Sequence, residues 1–244
     1  MTSTEAAIFQ LKNLKGKPLK QKLEHIFTYY WIPILVTTAF LIFAISYIVY
    51  IATMKDSALS VICINAFAEQ ENIDFYTQKF AESAGIDTQK YEIWISPDVT
   101  ISESDPMTSY ESSQFLMTLI AAQSVDVLAG DLETMTRYFY QDVLADLTDI
   151  MTVERQEMYW EYFLYMDLAV MRKLEESPDT VCEFPDPTKP KKMEHPVPVA
   201  LMLPADGTFT ELCYLDATDR VVVSVVVNSL NTPNALTFVD YIME

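Results

Sequence analysis

The chain has 244 residues, half of them hydrophobic, and 35 acidic residues against 16 basic ones give a formal net charge of −19 at pH 7. That length suits one sizeable folded domain besides any targeting segment. The acidity argues against a nucleic-acid partner, whose phosphates would be repelled, and two histidines and three cysteines leave little for a zinc site or a disulfide framework.

The charge divides at one place. Residues 27–54 contain no Asp, Glu, Lys, Arg or His; before them five lysines face two glutamates, a net +3, and the remaining 11 basic and 33 acidic residues leave the rest at −22. A bilayer core needs roughly 20 apolar residues in helix, whereas a signal peptide has an apolar core of about 7–15. The run is therefore expected to be a retained single-pass anchor, with Tyr29, Tyr30 and Trp31 at one interface and Tyr47 and Tyr50 at the other. The basic flank places residues 1–26 in the cytoplasm and residues 55–244 outside.

In chain order, 59–66 reads as a buried strand, too short and too β-branched for a helix. Residues 72–84 place Ile73, Phe75, Tyr76, Phe80 and Ala81 near helical spacing, and Gly85 follows where a left-handed cap is wanted. Residues 91–96 alternate as a second strand. A polar loop with Pro97 and Pro106 runs to 107, residues 108–123 form a second amphipathic helix, and 125–129 a third strand. Asp131 is suited to cap a helix over 132–141. Three strand–helix repeats imply a parallel sheet with covering helices.

After a turn and short apolar segment at 143–151, residues 153–176 are expected to be the longest outer helix, its aromatic stripe serving as core. Residues 177–198 are Pro-rich and read as a surface connection. Three strands are expected at 197–203, 209–215 and 221–227, with turns at 205–207 and 216–219, so this last part should be antiparallel. Thr232 as N-cap and Pro233 as first helical residue open a terminal helix through 243.

No phosphate-cradling glycine loop, HExxH or G-x-S-x-G is present. The acids at 142, 146 and 149 and at 154, 157 and 161 read as solvated faces, and Asp167, on an apolar stretch, as a hydrogen-bonded structural acid rather than a catalytic one. Cys63 reads as a small buried hydrophobe, and Cys182 with Cys213 is the one bridge to test. No cofactor and no metal are implied.

Three stretches resemble extracellular solute-binding proteins of ABC importers, the type 2 periplasmic-binding-protein fold. FYTQKFAESAGID at 75–87 is similar to that family's first helix and its F-E-x-x-x-G-I turn. SSQFLMTLIAAQSVDVLAGDLETMTRYFYQDVLADLTDIM at 112–151 resembles its helix, P-D-V-V strand and G-x-L-x-D-L segment, with Val125 in place of the proline. RVVVSVVVNSLNTPNALTFVDYIM at 220–243 resembles its late strand and N-S-x-N helix. The resemblance implies an α/β fold with a single lobe of what is normally a two-lobed clamp, no catalysis, and a partner such as a membrane transporter or another membrane protein. It implies ligand contact at the carboxyl ends of the parallel strands: Phe67 and Ala68, Ser96, and Gly130 with Asp131. The alternative expectation is an interaction module whose pocket has been filled.

Overall fold

The computed structural model describes Pro18 and residues 31–102, 104–177, 182–214 and 220–243. The basic leader with His25, the first four residues of the uncharged run including Tyr29 and Tyr30, Pro178 and the turn at 216–219 lie outside the described residues. The chain forms two units, Met1–Met54 and Lys55–Glu244.

In the first unit, α1 (Trp31–Thr53) is a 23-residue helix without a charged residue. Two of its hydroxyls are satisfied within it: that of Thr37 donates to the Pro33 carbonyl and that of Thr53 to the Val49 carbonyl, both at 2.8 Å. Such internal satisfaction is what an apolar solvent requires. Trp31–Ile51 is long and apolar enough to cross a membrane, as an anchor or a signal sequence must be.

The second unit begins with β1 (Asp56–Ile64), then α2 (Gln70–Ala84), β2 (Tyr91–Val99), α3 (Pro106–Ala121), β3 (Val127–Asp131) and α4 (Leu132–Phe139). After these come α5 (Leu147–Ile150), α6 (Val153–Tyr159), β4 (Phe163–Asp167), α7 (Leu168–Glu176), β5 (Pro196–Met202), α8 (Thr208–Cys213), β6 (Val221–Val225) and α9 (Thr232–Met243). The six strands form one mixed sheet in the order β2-β1-β3-β6-β5-β4. β1 is parallel to both β2 and β3, and the remaining neighbours are antiparallel.

β1 lies inside the sheet and is covered on both faces, so its residues are apolar almost without alternation. Leu59, Val61 and Cys63 join a core with Phe80 of α2, Phe209 of α8 and Phe238 of α9. Ile62 and Ile64 turn the other way, to Leu116 and Ile120 of α3 and Met135 and Phe139 of α4. Gly85 ends α2 at φ 66°, and its N–H and that of Ile86 reach carbonyls of the last turn, the left-handed cap glycine makes easy.

Four expectations are corrected. Residues 153–176 are not one helix: α6 stops at Tyr159, a 3-10 turn follows, and 163–167 form β4, paired with β5 from Phe163↔Leu201 to Asp167↔Pro196. Leu164 and Met166 alternate into the core, and an aromatic-rich run beside a free strand edge gains more as strand than as helix. The strand expected from 209 is absent through residue 214, and Leu215 lies outside the described residues; α8 occupies 208–213 because Phe209 and Cys213, four apart, enter the core together. β2 runs on to Val99 through Pro97, which an edge strand and a register shift tolerate. Thr232 is the first helical residue rather than a cap, and its hydroxyl donates to the Ser229 carbonyl at 3.4 Å. The described part of the Pro-rich connection is pinned to the domain, since Tyr165 N of β4 donates to the Pro187 carbonyl at 2.9 Å and Phe184 stacks on Tyr140.

Asp126 is the buried acid on which these elements meet. Its carboxylate accepts from Ser60 N at 2.8 Å, Ser229 Oγ at 2.6 Å, Asn231 N at 3.2 Å and Asn231 Nδ2 at 3.3 Å. Asn228 and Asn234 add bonds to the Ile120 and Ala58 carbonyls, 2.8 Å each. The polar residues at 228–234, before and at the start of α9, thus form a clasp onto β1, β3 and α3. Asp126→Ala is expected to destabilise the second unit by about 3 kcal/mol or more, because several buried donors lose a charged acceptor. Thermal and urea unfolding of the full chain in detergent would check this.

Candidate functional site

β1 leads through α2 to β2 on one side, and β2 leads through α3 back across to β3 on the other. The chain therefore reverses direction between β1 and β3, and in open α/β sheets ligands meet the carboxyl ends at such a reversal. Asn65 follows β1 there, at φ 57°, a left-handed geometry Asn tolerates better than most residues. Its Nδ2 donates to Asp131 Oδ2 at 2.7 Å and Thr134 Oγ1 at 3.2 Å, while its Oδ1 accepts from Ile101 N at 2.7 Å. Asp131 caps α4 through Thr134 N at 2.8 Å. The side chains at the reversal are thus bonded to one another and to their own backbone.

Tyr214 approaches the same region. Its hydroxyl is buried without a hydrogen-bond partner, and burial above all, with Cys63, Cys213 and Asp131 nearby, pushes the phenol well above its ordinary value. Cys63 and Cys213 are neighbours: the hydrogen bond to Cys213, and then burial, raise the Cys63 thiol. All three cysteines are free, and Cys213 lies beside Cys63 rather than pairing with Cys182.

The five expected ligand residues divide. Asp131 stands at the reversal. Phe67 is 65% exposed, and its N–H donates to the Cys213 carbonyl at 2.8 Å, while Ala68 packs on the core beside it. Ser96 is not at a strand end, because β2 continues to Val99; it is buried, its Oγ donating to Asp98 Oδ2 at 3.0 Å. Gly130 serves close packing: a Cβ there would stand 3.1 Å from Met135 Cγ and 3.2 Å from Ile64 Cβ. Asn65 and Asp126 were not singled out by pattern. An Asn just past an apolar strand was the available signal for the first; Asp126 carries none, because a buried acid and a surface acid read alike.

Asp167 caps α7 through Ala169 N at 3.0 Å and accepts from Glu194 N at 2.8 Å and His195 N at 3.0 Å. Burial raises its carboxyl, but these three N–H groups and nearby His195 outweigh it and leave it below the ordinary value. Every oxygen is engaged by backbone, which is the work of a structural acid.

No protein-family model matches the chain, and no curated protein matches it. Among solved structures, an ABC substrate-binding protein, Lmo0181 from Listeria monocytogenes, in complex with cycloalternan, is similar at 16% identity with a TM-score of 0.27. The match covers 46% of this chain and 29% of that protein, so this chain spans under a third of its length.

Two outcomes follow from the geometry. Because Asp167 has a depressed folded value, its stabilisation is complete above the unfolded carboxylate range and is lost as pH falls through the folded value. Asp167→Asn should lower stability at pH 7 by about 1–3 kcal/mol and flatten the loss below about pH 4, read from unfolding at a series of pH values. Asn65→Asp sets two carboxylates together against Asp131 and should destabilise at pH 7, with partial recovery on acidification.

Proposed function

We propose that this chain is a single-pass membrane protein whose non-catalytic, solute-binding-like α/β domain stands outside the membrane. There it serves a partner in the same membrane, such as a transporter or another membrane protein, rather than capturing solute at the carboxyl ends of its parallel strands. The observation that carries this reading is the closure at the reversal, where Asn65 and Asp131 spend their polar atoms on each other, on Thr134 and on Ile101. A solute at that point would have to break these bonds before making its own, a cost binding must repay.

Three further features support it. The lysine-rich leader favours a cytoplasmic N-terminus. Only Met54 and Lys55 separate α1 from β1, a connection too short to be a long flexible linker. Asp126 and Asp167, the most buried acids described, are held by hydrogen-bond donors in structural roles. The resemblance of residues 75–87, 112–151 and 220–243 to solute-binding proteins accounts for the fold without requiring their clamp.

The test is thermal unfolding of the detergent-solubilised full chain against mono- and oligosaccharides, short peptides and divalent metals. No saturable stabilisation is expected. A stabilising sugar, peptide or metal whose effect disappears in Asp131→Asn would overturn the reading in favour of solute capture.

A further inference from the structure

The opposite end of the sheet is built differently. A cleft of about 550 Å³ opens where β1 and β2 begin, lined by Asp56, Ser60, Glu92, Trp94, Gln123 and Leu230 among others. Its size suits a small molecule. Ser60 and Trp94 are register partners on adjacent parallel strands. Since Leu59 and Val61 face the α2 and α9 side, the alternation of β1 turns Ser60 to the α3 side, where Gln123 and Ser124 close the cleft after that helix.

Three properties of the lining specify the ligand's chemistry. Asp56 and Glu92 are exposed and have no ion-pair partner among the described residues, and the cleft has no Lys, Arg or His in its lining. Asp126 also reaches the cleft, but its carboxylate is already filled by Ser60 N, Ser229 and Asn231. Trp94 is 39% exposed and Leu230 69%, so an aromatic face and an aliphatic wall stand beside the two acids. Beneath them Ser60 is only 3% exposed, and its hydroxyl has no hydrogen-bond partner. A buried polar atom without a partner costs free energy that a ligand donor would recover.

We propose that this cleft binds a soluble alkylammonium compound. The ammonium lies over the Trp94 ring and between the Asp56 and Glu92 carboxylates, its alkyl stem lies along Leu230, and Ser60 accepts a hydrogen bond from the amine. Tryptophan is the best of the aromatic faces for a cation, and an anion or a carboxylate-bearing solute would be repelled here. The site is independent of the reading given above, since it lies at the amino rather than the carboxyl ends of the parallel strands.

Isothermal titration of the detergent-solubilised full chain with 1,5-diaminopentane at about 0.15 M salt, where longer-range attraction is screened, tests the proposal. Saturable binding is expected, with none for 1,5-pentanediol, which has the same stem without the charge. Glu92→Gln and Trp94→Leu should each weaken binding at least tenfold. Trp94→Phe, which keeps a ring, should weaken it less, and unchanged circular dichroism would show that each variant is folded. Glu157→Gln, on α6, should leave binding unchanged. No saturable heat, or a loss in Glu157→Gln equal to that in Glu92→Gln, would overturn the proposal, the second by showing general attraction to an acidic surface.

Discussion

A single buried carboxylate, that of Asp126, holds the α/β unit in register. An ionised group is stable in a core only when its oxygens are filled by donors. The donors here come from β1 and from the segment between β6 and α9, more than 100 residues further along the chain. The backbone of the same residue continues the clasp: its N–H donates to the Ser60 carbonyl, and its carbonyl accepts from Val226 N, each at 2.9 Å. β1, β3, β6 and the start of α9 are therefore fixed relative to one another by one residue. The two cores on either face of the sheet pack around that arrangement.

The clasp also accounts for the contrast between the two ends of the sheet. At the amino ends, Asp126 draws the segment after β6 inward but leaves the neighbouring strands β1 and β2 open, and a cleft with unpaired acids results. At the carboxyl ends, Asn65 bridges β1, β3 and the segment after β2, and the reversal is closed by side chains that satisfy one another. Gly130 contributes to that closure, because the absence of a Cβ lets Met135 and Ile64 approach. In a sheet of this topology the carboxyl ends ordinarily carry the ligand; here Asn65 and Asp131 are engaged with each other, with Thr134 and with Ile101.

The two edges of the sheet differ as well. β4 at one edge is covered by the Pro-rich segment through Tyr165 and Pro187. β2 at the other edge contains Pro97 and carries the exposed Glu92, two devices that discourage pairing with other chains. Further along, Arg155 grips Asp240 through Nε at 3.1 Å and Nη2 at 2.7 Å, with the Tyr159 hydroxyl on the other oxygen at 3.1 Å. That network ties α6 to α9, so the terminal helix is held at both its beginning and its end.

Local signals sufficed where one residue type has one use. An uncharged run long enough to span a bilayer, the Gly85 cap of α2, the Asp131 cap of α4 and the doubly buried β1 were all legible in the amino-acid order, because length, left-handed φ, capping and two-sided burial each have a narrow chemical signature. The tertiary structure alone decided that 163–167 pair with β5 instead of continuing a helix, that 208–213 coil instead of extending, and that Ser96 lies inside a strand. Short apolar runs satisfy both periods, and the neighbour that buries them makes the choice. It also decided that Asn65 meets Asp131 while Asp56, Glu92 and Trp94 stand round an unpartnered serine. Such encounters depend on the crossing order of strands, which no local pattern encodes.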